Sequence, residues 1–108
     1  MTEALFVYGT LAPGRANAHV LAPLKGTWRN GSVRGQLHAE GWGATLGFPG
    51  IVLDPQGPEV KGQVFTAPGL ADFWPTLDAF EGEGYRRVPV EVWLEGGDTL
   101  TCWIYSLA

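Results

Sequence analysis

A β-rich α+β fold, in which one sheet curls around a core and carries a helix on its other side, follows from three features of this 108-residue chain. Glycine and proline, at 16 and 8 residues, punctuate it throughout, so its elements are short and joined by tight turns. From Arg87 to Ser106 apolar residues alternate on both sides of Gly96-Gly97, and both faces are substantially apolar. The most periodic stretch, Leu70, Phe73, Trp74, Leu77 and Phe80, recurs at three- and four-residue steps and so lies on one helix face. The length fits one domain, residues 1–108, with a single core.

Taken in order, the first strand spans Ala4 to Tyr8, apolar enough to be buried, and runs into Gly9, where the chain can bend or be approached closely. Thr10 adds a hydroxyl, and Pro13-Gly14 closes the turn. Successive amides there can form an anion-binding nest, which a short helix from about Asn17 to Leu24 would reinforce. Val33 and Leu37 alternate with polar neighbours within a strand over Thr27 to Ala39. Gly41 to Gly50 reads as a glycine-rich loop holding two aromatics, of the kind that frames pockets. Ile51-Val52-Leu53 and Glu59 to Thr66 are strands separated by turn residues, and Gly62 marks a close approach by a backbone or ligand. The helix takes Asp72 as N-cap, with Pro75 in its first turn, and ends near Phe80. Arg87 to Glu95 and Thr99 to Ser106 pair across Gly96-Gly97, setting Val90 near Trp103 and Val88 near Tyr105.

Composition narrows the function classes. A net charge of −4 and no Lys/Arg cluster beyond Arg86-Arg87 argue against a nucleic-acid surface or a polybasic membrane contact. The lone Cys102 alternates with Leu100 and Ile104 and reads as a buried structural thiol. Without a signal-like N-terminus or a run of membrane-spanning length, the expected compartment is the cytoplasm. His19 and His38 are far apart and outside any ligand pattern, so no metal is expected. The five tryptophans read as core rather than as an adaptor surface.

The carboxylates remain. Glu81 sits four residues after Leu77, at the angular position of the buried helix face. Burial disfavours its charged form and raises its pKa, as a general acid/base near neutral pH requires. The structural alternative is a helix-terminal Glu paired with Arg86 or Arg87. Glu83 and Asp78 are expected to be solvated, and Tyr85 either donates a hydrogen bond into the same space or packs.

Phe6-Val7-Tyr8-Gly9-Thr10-Leu11, followed by Gly14, Asn17, Val20 and Leu21, and later Leu77-Asp78-Ala79-Phe80-Glu81-Gly82-Glu83-Gly84-Tyr85-Arg86-Arg87, resemble the γ-glutamylcyclotransferase-like, or AIG2-like, family. Phe48-Pro49-Gly50-Ile51-Val52 and Val60-Lys61-Gly62-Gln63-Val64-Phe65 extend the likeness over nearly the full length. It is similar to the compact γ-glutamylamine type, with Tyr-Gly-Thr-Leu, rather than to the larger glutathione-related enzymes. The resemblance implies a small α+β fold around a curved or barrel-like mixed sheet with one or two short helices. It also implies release of 5-oxoproline from a small γ-glutamyl amide by attack of the substrate's own α-amine, with no cofactor. By the same resemblance, the backbone N–H groups of Gly9, Thr10 and Leu11 bind substrate with Tyr8 beside them, and Glu81 is the catalytic acid/base. A domain that binds such a carboxylate metabolite without turning it over is the alternative.

Overall fold

The computed structural model describes residues 3–8, 18–38 and 50–107. Among them run six strands: β1 (Ala4–Val7), β2 (Thr27–His38), β3 (Gly50–Leu53), β4 (Glu59–Thr66), β5 (Tyr85–Leu94) and β6 (Thr99–Leu107). One α-helix, α1 (Trp74–Glu81), precedes β5. The strand order β2-β4-β1-β6-β5 closes on itself, because β5 also pairs with β2 at Gly31↔Leu94 and Ser32↔Trp93. The result is a five-stranded barrel, mixed because β1 pairs with β6 in parallel and every other pair is antiparallel. No helix among the described residues is long and apolar enough to cross a membrane.

β3 lies outside the barrel, and the hydrogen bonds at Arg34-Gly35 explain how the chain gets there. The Gly35 N–H donates to the Pro58 carbonyl, while the Arg34 carbonyl accepts from the Asp54 N–H. Those two groups flank one trans peptide and point opposite ways, so β3 and β4 flank opposite edges of β2. The turn between them therefore crosses the face of β2. Gly57 makes the crossing possible, since a Cβ there would sit 3.1 Å from the Gly35 backbone. Asp54 holds the turn by accepting the Gln56 N–H at 2.9 Å.

Apolar residues divide between two cores. Phe6, Val33, Val64, Val92 and Ile104 fill the barrel, and Leu5, Val7, Phe65, Leu70, Leu77 and Tyr105 lie between the barrel wall and the helical segments. β1 contributes to both, so all four of its residues are buried. This two-sided burial is the reason for its unbroken apolar run. Of the tryptophans, Trp74 is buried, Trp28 and Trp103 are half-buried, and Trp93 is exposed, so the core expectation fails for Trp93. Cys102 is buried as a free thiol.

Three expectations need correction. The stretch before β2 forms two 3₁₀ turns, Ala18–Val20 and Ala22–Leu24, rather than one helix. Pro23 supplies no N–H for an α-turn, and Lys25 in the left-handed region closes the second turn by donating its N–H to the Ala22 carbonyl. Phe73, not Asp72, is the N-cap of α1, because a 3₁₀ turn (Leu70–Asp72) leads into it. The β5–β6 register is shifted by one residue: Val90 faces Cys102, Val88 faces Ile104 and Arg87 faces Tyr105. The hairpin loop has three residues, Glu95-Gly96-Gly97, closed by the Leu94 N–H donating to the Asp98 carbonyl at 2.7 Å. Gly96 and Gly97 both take positive φ, which makes the longer loop accessible.

Candidate active site

Glu81 closes α1. The helix buries Trp74 and Leu77, and Glu81, one turn beyond Leu77, carries the same face to the helix end, where it is half-buried. No cation or hydrogen-bond donor among the described residues pairs with it, and burial alone pushes its carboxyl up to about 7. The structural alternative of a Glu81–Arg87 pair does not form, because Arg87 is engaged elsewhere. Its Nε donates to Asp78 Oδ1 at 3.0 Å and its Nη2 to Oδ2 at 3.3 Å, and the guanidinium lies 4.5 Å and 4.8 Å from the Trp74 and Trp103 ring centroids.

Three phenols feel the Glu81 charge. Tyr8 follows β1, Tyr85 opens β5 and Tyr105 lies on β6; each phenol is raised first by burial, and the Glu81 charge adds to the rise. All three therefore stay protonated at neutral pH. The Tyr8 hydroxyl donates to the Tyr105 carbonyl at 2.6 Å and accepts the Ile51 N–H at 3.1 Å, so its one proton is already committed. Tyr105 in turn donates its hydroxyl to Asp78 Oδ1 at 2.7 Å. Asp78 is held below the usual carboxylate range chiefly by its hydrogen bond from Arg87.

An open groove of about 550 Å³ runs along the end of α1, lined by Asp78, Ala79, Gly82, Glu83, Tyr85, Arg87 and Tyr105. Glu81 does not line it. Tyr85, half-buried, is thus the one sequence-derived binding residue on this groove. Gly9, Thr10 and Leu11 lie outside the described residues, as do the start of the expected helix at Asn17 and nearly all of the Gly41 to Gly50 segment. What the fold brings together is Glu81, Tyr8, Tyr85 and Tyr105.

Sequence reasoning missed Tyr105; Asp78 is exposed as expected, but its pairing with Arg87 and Tyr105 was not foreseen. The signal was present in the hairpin: a three-residue loop sets Arg87 opposite Tyr105, and both side chains meet Asp78.

A family model described as gamma-glutamyl cyclotransferase, AIG2-like, matches residues 5–108. The chain belongs to this family. An AIG2-like protein from Mus musculus has a TM-score of 0.77 at 25% identity, over 99% of this chain and 78% of that one. YkqA from Bacillus subtilis is 30% identical with a TM-score of 0.75, over 99% of this chain and 36% of that one. The chain thus spans about a third of the Bacillus protein's length. An Arabidopsis thaliana protein is similar over 98% of this chain and 68% of its own, with 25% identity and a TM-score of 0.73. No curated protein sequence matches the chain. Family membership and the small mixed barrel agree with the γ-glutamyl cyclotransferase-like α+β fold expected from the two motifs.

Proposed function

We propose that this chain is a γ-glutamyl amine cyclotransferase that releases 5-oxoproline from a γ-glutamyl amide. Family membership supports the reaction class. The observation that carries the reading is the Glu81 carboxyl: half-buried, unpaired among the described residues, and poised near neutral pH.

In this reading the Glu81 carboxylate takes a proton from the substrate's α-ammonium. The freed amine attacks the γ-carbonyl carbon, a C–N bond forms, and the carbonyl oxygen takes up the negative charge. Backbone N–H groups of Gly9, Thr10 and Leu11 stabilise that oxyanion and hold the α-carboxylate. Glu81 then gives its proton to the departing nitrogen and the old amide bond breaks; the ring nitrogen loses its second proton to the departing amine through the ionised Glu81, and 5-oxoproline and an ammonium leave without consuming water. Ring closure is intramolecular, so the protein's share is to hold the curled conformer and shuttle protons from the attacking to the departing nitrogen. A carboxyl with a midpoint near 7 both accepts and returns a proton with little loss in either direction. Tyr85 offers a neutral phenol O–H to the substrate. Tyr8, whose proton goes to the Tyr105 carbonyl, supports the site through its ring and position.

The test is incubation of the purified chain with a panel of γ-glutamyl amines and γ-glutamyl amino acids, scoring 5-oxoproline. Release by the wild type, and its fall by about 10²–10⁴-fold in Glu81→Gln, is the expected result. Binding of 5-oxoproline with no turnover of any panel member would favour the non-catalytic alternative.

A further inference from the structure

We propose that Tyr105 is a positioning residue that fixes the Glu81-bearing helix against the end of β1, through its hydroxyl on one side and its backbone carbonyl on the other. The proposal rests on the reading of Glu81 as the acid/base and of the chain after Tyr8 as the substrate loop.

The geometry is a single residue with two attachments. The Tyr105 hydroxyl donates to Asp78 Oδ1 at 2.7 Å, and Asp78 lies three residues before Glu81 on α1. The Tyr105 carbonyl accepts the Tyr8 hydroxyl at 2.6 Å, and Tyr8 is the residue from which the chain enters Gly9. The two functional segments, 70 residues apart in sequence, are thereby referred to one point on β6. Tyr105 suits the task because it is itself buried: it is 5% exposed and shares a core cluster with Leu5, Val7 and Leu77.

Each attachment is braced in turn. Arg87, opposite Tyr105 in the β5–β6 ladder, holds both oxygens of Asp78 and stacks between Trp74 and Trp103. The Tyr8 hydroxyl accepts the Ile51 N–H, which ties β3 to the same assembly. Backbone pairing alone does not do this. Among the described residues β1 and β6 share one ladder pair, Leu5↔Trp103, and α1 has no ladder to either strand. Direct attack by a carboxyl-activated amine tolerates little misplacement of the acid/base, so a tether on each side of the site acts on rate rather than on ground-state binding.

The test is Tyr105→Phe, which keeps the ring and the carbonyl but removes the bond to Asp78, with Asp78→Asn as the second variant. Turnover of the best panel substrate is expected to fall by between about tenfold and 100-fold in kcat, with KM changed less than about twofold. The Glu81 titration, followed by carboxyl carbon NMR, is expected to move from about 7 toward the ordinary 4.5 as the helix end loosens, with Tyr8 and Tyr85 the titratable groups that still face it in Tyr105→Phe. The double variant Tyr105→Phe/Asp78→Asn is expected to lose no more rate than the worse single variant. An unchanged kcat and an unchanged Glu81 titration in Tyr105→Phe, with only a lower melting temperature, would overturn the proposal. If the wild type turns over nothing, the catalytic reading fails, and the Glu81 titration alone still decides for or against the tether. If Tyr105→Phe does not fold, Asp78→Asn carries the same two measurements.

Discussion

Replacing Glu81 by glutamine keeps the shape of the side chain and removes its charge, and the fold assigns a sign and a size to the result. The carboxyl titrates near 7 in the folded chain, raised by burial from an ordinary 4.5. Below the ordinary value the group is protonated in both states and costs nothing. As pH rises the unfolded chain releases this proton first, so the folded state loses stability through the interval up to about 7 and regains none above it. At about 1.4 kcal/mol per pH unit the gap corresponds to about 3 kcal/mol, an upper figure because Glu81 is only partly shielded from solvent. A glutamine amide also pays for burial, so Glu81→Gln is expected to stabilise the chain by about 1–3 kcal/mol at pH 8 and by almost nothing at pH 4. For a domain of this size each kcal/mol shifts the melting temperature by about 4–8 °C. Urea unfolding of both proteins at pH 4, 6 and 8 measures the difference directly. A variant equal to or less stable than the wild type at pH 8, or a difference that ignores pH, would place Glu81 in solvent and remove the physical basis of the site.

The pH dependence of turnover follows from the same carboxyl: kcat/KM rises with pH as Glu81 ionises, with an acid-limb midpoint near 7. A midpoint in the ordinary carboxylate range would contradict it. Gly62→Ala is expected to cost about 1–3 kcal/mol or to prevent folding, because a Cβ there would lie 2.5 Å from the Val7 carbonyl oxygen and 2.6 Å from the Phe6 ring. Wild-type stability of that variant in urea would mean that β1 and β4 do not approach this closely. Cys102 is 3% exposed and burial pushes its thiol up to about 11, so a thiol reagent at pH 8 is expected to leave the native chain untouched and to react at once after unfolding. Rapid reaction in the native state would contradict its place inside the barrel.

Much of this was legible because burial leaves a period in the sequence. The unbroken apolar run of β1, the alternation of β5 and β6, and the spacing of Leu70, Trp74 and Leu77 each name the faces that pack, whereas Phe80, expected on the same helix face, is exposed. Glu81 was found in the same way, as a charge where the helix face calls for an apolar residue. Gly62 was read as a close approach, and the neighbour is the Val7 backbone.

The misses are long-range or turn on one residue. Gly96-Gly97 fits a two-residue turn as well as the three-residue loop that forms, and that choice shifts every β5–β6 partner by one. The shift hid the meeting of Arg87 with Tyr105, and so the role of Asp78. No local pattern shows that Gly57 crosses over Gly35 to send β3 outside the barrel. The nest expected at Gly9, Thr10 and Leu11 lies outside the described residues.

The most direct measurement of the central claim is 5-oxoproline formation by the wild type and Glu81→Gln, side by side at pH 8 on the best γ-glutamyl amide of the panel. The account predicts stoichiometric 5-oxoproline and free amine from the wild type, and loss of both from a variant that is folded and more stable. Equal turnover by the two proteins would contradict it, because the proton would then be moving through some other group.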